Sequence, residues 1–234
     1  PSTRSYIIPG KSALSLRYSP YSALVTALSD LVRQLVTESE ERLSRWRQQL
    51  LAVLGVNGPV MVDLIPELEW IIGPQPAVPS LEPTEAQNHF NLVFQNFLGV
   101  FGQQPLVMFL DDLQWADLAT LKLLELLVTD AQTTYLLIVG AYRDNEVDAV
   151  HPLMVMLDRL AKTSMIVEQL TLPPLQLEDV TQLLAETLHR HADEVQSLAT
   201  LVMQKTQGNP FFVNQFLKTL FQEQLLSFEV ASRQ

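Results

Sequence analysis

The stretch Pro105–Asp117, PLVMFLDDLQWAD, decides how this chain is to be read. Its apolar run, Pro105–Leu110, leads straight into two adjacent carboxylates, Asp111 and Asp112. A continuous apolar run of that length predicts a strand buried on both faces, as in a parallel sheet. Strands of that kind present ligand groups at their carboxyl ends, where the chain leaves the sheet. Two acids at such a point can hold Mg2+ and orient a water beside a nucleotide phosphate. An Asp-Asp pair also caps a following turn or helix, so the pair alone leaves both readings open.

Working outward, the next element is a helix over Leu118–Val128, apolar almost all round, with Asp117 where an N-cap belongs. It is expected to lie buried against the sheet. Tyr135–Ala141 (YLLIVGA) is a second strand candidate, and it too empties into polar residues, Tyr142 to Glu146. Two such strands separated by one helix make a βαβ unit. Arg143 then shares the crevice with Asp111 and Asp112, where it pairs either with a phosphate or with one of the acids.

Upstream, Ser5–Pro9 is a short strand candidate followed by Gly10, Lys11 and Ser12. Gly-Lys-Ser invites a phosphate-loop reading, but G-x-x-x-x-G-K-[ST] needs glycine amides around the phosphates. Ser5 stands five residues before Gly10 and Pro9 has no amide hydrogen, so a strand end and turn is the better reading. Ser19-Pro20 then opens an amphipathic helix through Tyr21, Leu24, Val25, Leu28, Leu31, Val32 and Leu35. A more polar helix follows at Glu38–Leu54, short helical turns at Gly58–Gly73, and a proline-rich connection at Pro74–Pro83. Trp70 is expected in the core. Thr84 and Gln87 have capping-box spacing, and Phe90, Val93, Phe94, Phe97, Leu98 and Phe101 form the buried stripe of the next helix.

Downstream, His151–Leu160 predicts a helix and Met165–Leu172 a third strand. Pro173-Pro174 marks the boundary to an all-helical part with stripes in Glu178–Leu188, Asp193–Gln204 and Asn209–Gln224. Gly208-Asn209-Pro210 is a sharp helix start, Asn as N-cap and Pro at the first helical position. His189 and His191 are surface residues with no ligand pattern around them.

Composition narrows the function classes. At 234 residues the chain buries a full core, and 47% hydrophobic with 18% charged residues describes an ordinary globular protein. A net charge of −11 without a basic stripe argues against nucleic acid as partner. The absence of cysteine excludes disulfides and thiolate metal sites and fits a reducing, cytoplasmic setting. No apolar stretch reaches transmembrane length, so no membrane partner is expected. Pro1 is not an initiator Met, and the expectation is of a piece of a longer protein.

With the acid pair, the Arg-ended strand and Gly-Asn-Pro in place, the chain resembles a family. It is similar to the STAND/AAA-type (Orc1-like AAA) ATPase domain of large multidomain signalling kinases, cyanobacterial ones especially. The matching passages are PYSALVTALSDLVRQLVTESEE, QPAVPSLEPTEAQNHFNLVFQNF, LVMFLDDLQWADLATLKLLELL, LIVGAYRDNEV, HPLM and KTQGNPFFVNQFLKTL. The resemblance implies an α/β fold: a P-loop NTPase-type parallel sheet lacking its N-terminal P-loop strand, then an all-helical lid subdomain. Residues 1–172 would form the partial nucleotide-binding core and 173–234 the lid. It implies ATP and Mg2+ as cofactors, with Asp111 resembling the Walker B magnesium carboxylate and Asp112 the acid that positions the attacking water. Arg143 resembles the sensor that reads the γ-phosphate. Gly208, Asn209 and Pro210 match the lid motif beside the adenine.

Implied partners are the adjacent Ser/Thr kinase, GAF and histidine-kinase domains of a parent two-component signalling chain, together with nucleotide-dependent oligomers. The family's P-loop strand is expected at the centre of the sheet, between the Asp111 strand and the Arg143 strand. Its absence would leave two unpaired edges, and the fragment would bind nucleotide poorly and be inactive alone. An ATP-binding regulatory module is thus the first function expected, and a non-hydrolysing interaction scaffold in the same signalling protein the second. A phosphorylated receiver is disfavoured, because the second strand ends in Arg143 and no Lys ends a later one.

Overall fold

Three parallel strands carry the first part of the molecule. The computed structural model describes residues 5–13, 20–76, 83–102, 104–130, 133–163 and 165–225. Strand β1 (Tyr6–Lys11) pairs with β2 (Leu106–Asp111), and β2 pairs in turn with β3 (Leu136–Gly140), giving the order β1-β2-β3. The register sets Tyr6 beside Leu106 and Leu106 beside Leu136, and at the far end Lys11 beside Asp111. The two strands expected to flank a missing central strand are therefore neighbours, bonded along their length. Nothing is left out between them, and among the described residues the outer sides of β1 and β3 are the edges of the sheet. The architecture is that of an α/β, P-loop NTPase-like domain.

The sheet alternates where the sequence predicted burial on both faces. Tyr6 and Ile8 of β1 and Leu106, Met108 and Leu110 of β2 are buried, while Ile7, Phe109, Leu137 and Val139 are exposed on the opposite face. Helix α1 (Ser22–Val36) covers the first face and lies along β1 and β2. Exposure of alternate residues is why a continuous apolar run shows a period of two in its burial here.

Helix α1 begins two residues later than Ser19-Pro20 suggests. Tyr21 is its N-cap, in the left-handed region at φ 63°, and Ser19 lies outside the described residues. The Tyr21 amide finds its partner in the Asp117 carboxylate at 3.2 Å, and its ring stacks on Phe90 at 4.9 Å. Along α1, Leu24, Leu28, Leu31, Val32 and Leu35 are buried as the helical period demands. Helix α2 (Glu40–Leu54) and the short helices α3 (Gly58–Leu64) and α4 (Glu69–Ile72) follow. One turn of α4 presents Ile71 and Ile72 to the core, so Trp70 points outward and is exposed, contrary to expectation. The Thr84 side chain lies outside the described residues. Helix α5 (Pro83–Gly99) buries the predicted stripe of Val93, Phe94, Phe97 and Leu98, and Phe101 packs edge-on against Phe97 and tilted against Trp46.

The predicted strand end at Gly10 is still strand, and Ser12 continues the ladder through its amide to the Asp111 carbonyl at 3.0 Å. The Ser12 hydroxyl is buried, with no hydrogen-bond partner among the described residues. A buried hydroxyl without a partner costs about 1–3 kcal/mol. Ser12→Ala should therefore raise the midpoint of urea unfolding at unchanged slope, and a lowered midpoint would show that the hydroxyl is bonded after all.

Helix α6 (Leu118–Thr129) packs on α1 and on α7 (Pro152–Ala161), tied to α7 by a two-pronged Arg159–Glu125 ion pair at 2.7 Å for both bonds. Met165–Leu172, expected as a third strand, is irregular, and Ile166, Leu170 and Leu172 are exposed. A strand needs a ladder partner for its amides and carbonyls, and none of the described strands supplies one.

The chain divides into two compact units, Pro1–Val167 and Glu168–Gln234. The second is three helices, α8 (Leu177–Leu188), α9 (Ala192–Thr206) and α10 (Pro210–Gln222), around Val180, Leu184, Val195, Ala199, Val202 and Val213. His189 ends α8 in the left-handed conformation and His191 caps α9; both are exposed. No helix among the described residues is long and apolar enough to cross a membrane.

Candidate functional site

The carboxyl ends of all three strands converge on the acid pair. Asp111 is the last residue of β2, and Asp112 turns into the left-handed region at φ 54°, its amide donating to its neighbour's Oδ1 at 2.9 Å. That conformation is uncommon outside glycine, and Asp and Asn are among the few side chains that tolerate it. The turn swings the Asp112 carboxylate inward. It is buried, and a buried carboxylate must be paired.

Three groups provide the pairing. Lys11 Nζ, at the end of β1, stands 2.9 Å from Asp112 Oδ2 and 3.3 Å from Asp111 Oδ2. The Gln114 amide, itself buried in the turn Leu113–Trp115, donates to Asp112 Oδ1 at 3.1 Å. Arg143 Nε, beyond β3, lies 3.8 Å from the same Oδ1. The crevice is braced by backbone bonds between strand ends, from the Ala141 amide to the Leu110 carbonyl and from the Leu113 amide to the Ala141 carbonyl.

Arg143 is itself held. Its guanidinium donates to Glu146 at 3.0 Å and lies 5.5 Å above the Trp115 ring, while its amide donates to Gln114 Oε1 at 3.3 Å. The side chain is still more than half exposed, which leaves donors facing solvent. Asp117, by contrast, is a structural residue. Its Oδ1 accepts the Thr120 amide at 2.9 Å and caps α6, and its Oδ2 accepts the Tyr21 amide.

Burial opposes ionisation of Asp112, but the hydrogen bonds from Lys11 and Gln114 and the charges of Lys11 and Arg143 outweigh it. They hold the carboxyl below the usual carboxylate range. The bonds to Asp112 and Asp111 raise the Lys11 ammonium in turn. A carboxyl depressed on folding adds stability above its unfolded pKa of about 3.9 and loses it as pH falls through the lower folded value. Unfolding free energy should therefore fall steeply on acidification below about pH 4, and Asp112→Asn should flatten that limb. An acid limb identical in the two proteins would show that the folded-state shift is absent.

Sequence reasoning anticipated Asp111, Asp112 and Arg143, and the structure brings them together. It missed Lys11 and Gln114. Lys11 was set aside with the failed phosphate-loop spacing, and what reveals it is the strand register that faces it with Asp111. Gln114 stands in the opening stretch, two residues past the acid it bonds, a spacing that signals a self-bonding turn. Gly208, Asn209 and Pro210 belong to the second unit and begin α10. Asn209 Oδ1 accepts the Phe211 and Phe212 amides at 3.0 and 3.3 Å, and Gly208 adopts φ 76° against the Leu175 backbone.

Among the described residues no three His, Asp or Glu side chains gather as a metal cage. Magnesium asks for less, since it is commonly held by one or two carboxylates with phosphate oxygens and water completing the shell. Asp111 Oδ2 and Asp112 Oδ2, both turned toward one cation, fit that requirement.

A parallel sheet with helix α1 along one face, and with paired carboxylates and an arginine at its carboxyl ends, has the architecture of an α/β, P-loop NTPase-like domain. The family comparison agrees: residues 2–139, more than half of the chain, match the AAA ATPase domain, and the chain belongs to that family. Over 92% of its length it is also 31% identical to the hybrid signal transduction histidine kinase G of Dictyostelium discoideum. The match spans only 8% of that much longer relative. No solved structure matches the chain.

Proposed function

We propose that this chain is the greater part of an ATP-binding regulatory module in a multidomain signal-transduction kinase, of the STAND type within the AAA ATPase family. The observation that carries the reading is the convergence of Asp111, Asp112 and Arg143 at the strand ends of one parallel sheet. The domain family as a whole uses nucleotide with magnesium, and the likeness to a region of a histidine kinase supports a signalling role.

In this reading Asp111, with one oxygen tied to the Asp112 amide, would be the carboxylate that holds magnesium. Magnesium supplies charge neutralisation of the phosphate oxygens. Asp112, kept ionised by its neighbours, accepts a hydrogen bond from a water and orients it. Arg143, fixed by Glu146 and Trp115, offers its remaining donors to a terminal phosphate. The 234 residues contain no G-x-x-x-x-G-K-[ST], and the nucleotide contacts in this reading are those of the acid pair and Arg143. Nucleotide binding would bias the kinase, GAF and histidine-kinase neighbours.

The test is magnesium-dependent binding of a fluorescent ATP analogue to the 234-residue chain and to the parent polypeptide. Binding by the parent is expected to fall at least tenfold with Asp111→Asn, while Asp112→Asn keeps binding and removes phosphate release. Binding indifferent to Asp111→Asn and to magnesium in the parent would overturn the proposal. A second reading, a non-hydrolysing scaffold, is favoured by the exposed apolar sheet face of Ile7, Phe109 and Leu137. Nucleotide held without phosphate release by the unmodified parent would select it.

A further inference from the structure

We infer that Lys11 is an internal cation of the acid site, which occupies the place between Asp111 and Asp112 and gives it up when a divalent cation binds. The inference rests on the reading that magnesium comes to these carboxylates, and it assigns a role to a residue outside the phosphate-loop and acid-pair motifs.

Geometry carries it. The parallel register of β1 and β2 sets Lys11 directly beside Asp111, so its position is built into the sheet. The Nζ reaches an Oδ2 of each carboxylate, at 2.9 and 3.3 Å, and those are the oxygens left over once Asp111 Oδ1 has taken the Asp112 amide and Asp112 Oδ1 has taken Gln114. One ammonium therefore engages the only two oxygens of the pair that these neighbours leave to a cation. An ammonium and a divalent ion cannot both stay within contact of the same two oxygens, because their like charges repel at that range.

The two basic residues of the site differ in their freedom. Arg143 is clamped from three sides, by Glu146, the Trp115 ring and the Asp112 carboxylate. Lys11 is 63% exposed, and its side-chain bonds are to the two carboxylates. Its flexible four-carbon stem and point charge let it swing into solvent. Arg143 is thus the fixed cation and Lys11 the removable one. While in place, Lys11 stops the two adjacent acids from repelling each other, and it raises the metal concentration at which the site fills.

The test is a Mn2+ titration of the 234-residue chain without nucleotide at low ionic strength, with free ion read from its electron paramagnetic resonance signal. Lys11→Met and Lys11→Gln are each expected to bind one Mn2+ at least tenfold more tightly than the unmodified chain. Adding Asp111→Asn to either should abolish the gain, and Lys11→Arg should not show it. Circular dichroism at each point keeps the comparison to folded protein. Equal or weaker Mn2+ affinity in both Met and Gln variants overturns the inference. Because no nucleotide is present, a parent protein that fails to bind ATP refutes the proposed function and leaves this measurement standing. Intact ATP binding without the gain refutes Lys11 alone.

Discussion

Gly10→Val should prevent the first unit from folding, and Gly10→Ala should lower its Tm by roughly 5–10 °C. A Cβ at this position would lie 2.3 Å from the Ala23 carbonyl oxygen and 2.8 Å from a Leu110 methyl. Both obstacles are set by the fold. Ala23 belongs to the first turn of α1, whose Ala23 and Ala27 are buried, and Leu110 belongs to the central strand. Small residues on both sides let the helix approach the sheet at backbone distance. Extra volume in such a contact costs about 1–3 kcal/mol for one methyl, and the two further methyls of valine have no space to enter. The change also displaces Lys11, the next residue, from its register with Asp111. Thermal denaturation followed by circular dichroism checks this, and a Gly10→Ala melt superimposed on that of the unmodified chain would contradict the packing described.

Gly208→Ala should destabilise the second unit by about 3 kcal/mol while leaving the first intact. The residue is at φ 76°, a conformation that costs an L side chain roughly 1–2 kcal/mol. A Cβ there would also fall 2.1 Å from the Leu175 carbonyl oxygen, in the backbone contact where the Leu175 amide donates to the Gly208 carbonyl at 2.9 Å. That contact joins the lead-in of α8 to the start of α10. The unit's core is six small or medium apolar residues, so a loss of about 3 kcal/mol is a large share of its stability. Urea unfolding should show the helical unit melting at lower denaturant in the variant, with the tryptophans, all in the first unit, reporting an unchanged transition. An unshifted helical transition would free Gly208 from its structural duty and leave a ligand contact as its reason. Packing against the Leu175 backbone is sufficient cause for a glycine at this position.

Much of this is legible in the sequence. Local periodicity placed α1, α2, α5 and α6 to within a few residues, because amphipathic stripes and caps are short-range properties. Asp117 was placed at an N-cap and is one. The errors have a common origin in partners distant along the chain. Met165–Leu172 has the composition of a strand but not the ladder. Trp70 has the character of a core residue, but the core is taken by Ile71 and Ile72. The Asp111 strand was expected to be buried on both faces, and one of them is open.

The sequence by itself determined that two apolar strands, each ending in charged residues and linked by one helix, would form a parallel α/β unit with Asp111, Asp112 and Arg143 at the carboxyl ends of its strands. The physical reason is that strand period, helix stripe and turn chemistry are written in neighbouring residues. Only the tertiary structure decided that the Asp111 and Arg143 strands are direct neighbours, that Lys11 lies across both carboxylates, and that Gln114 closes the turn behind them. The first two depend on register and strand order, which are set by pairing between segments distant along the chain, a hundred residues apart for Lys11 and Asp111, and have no local signature.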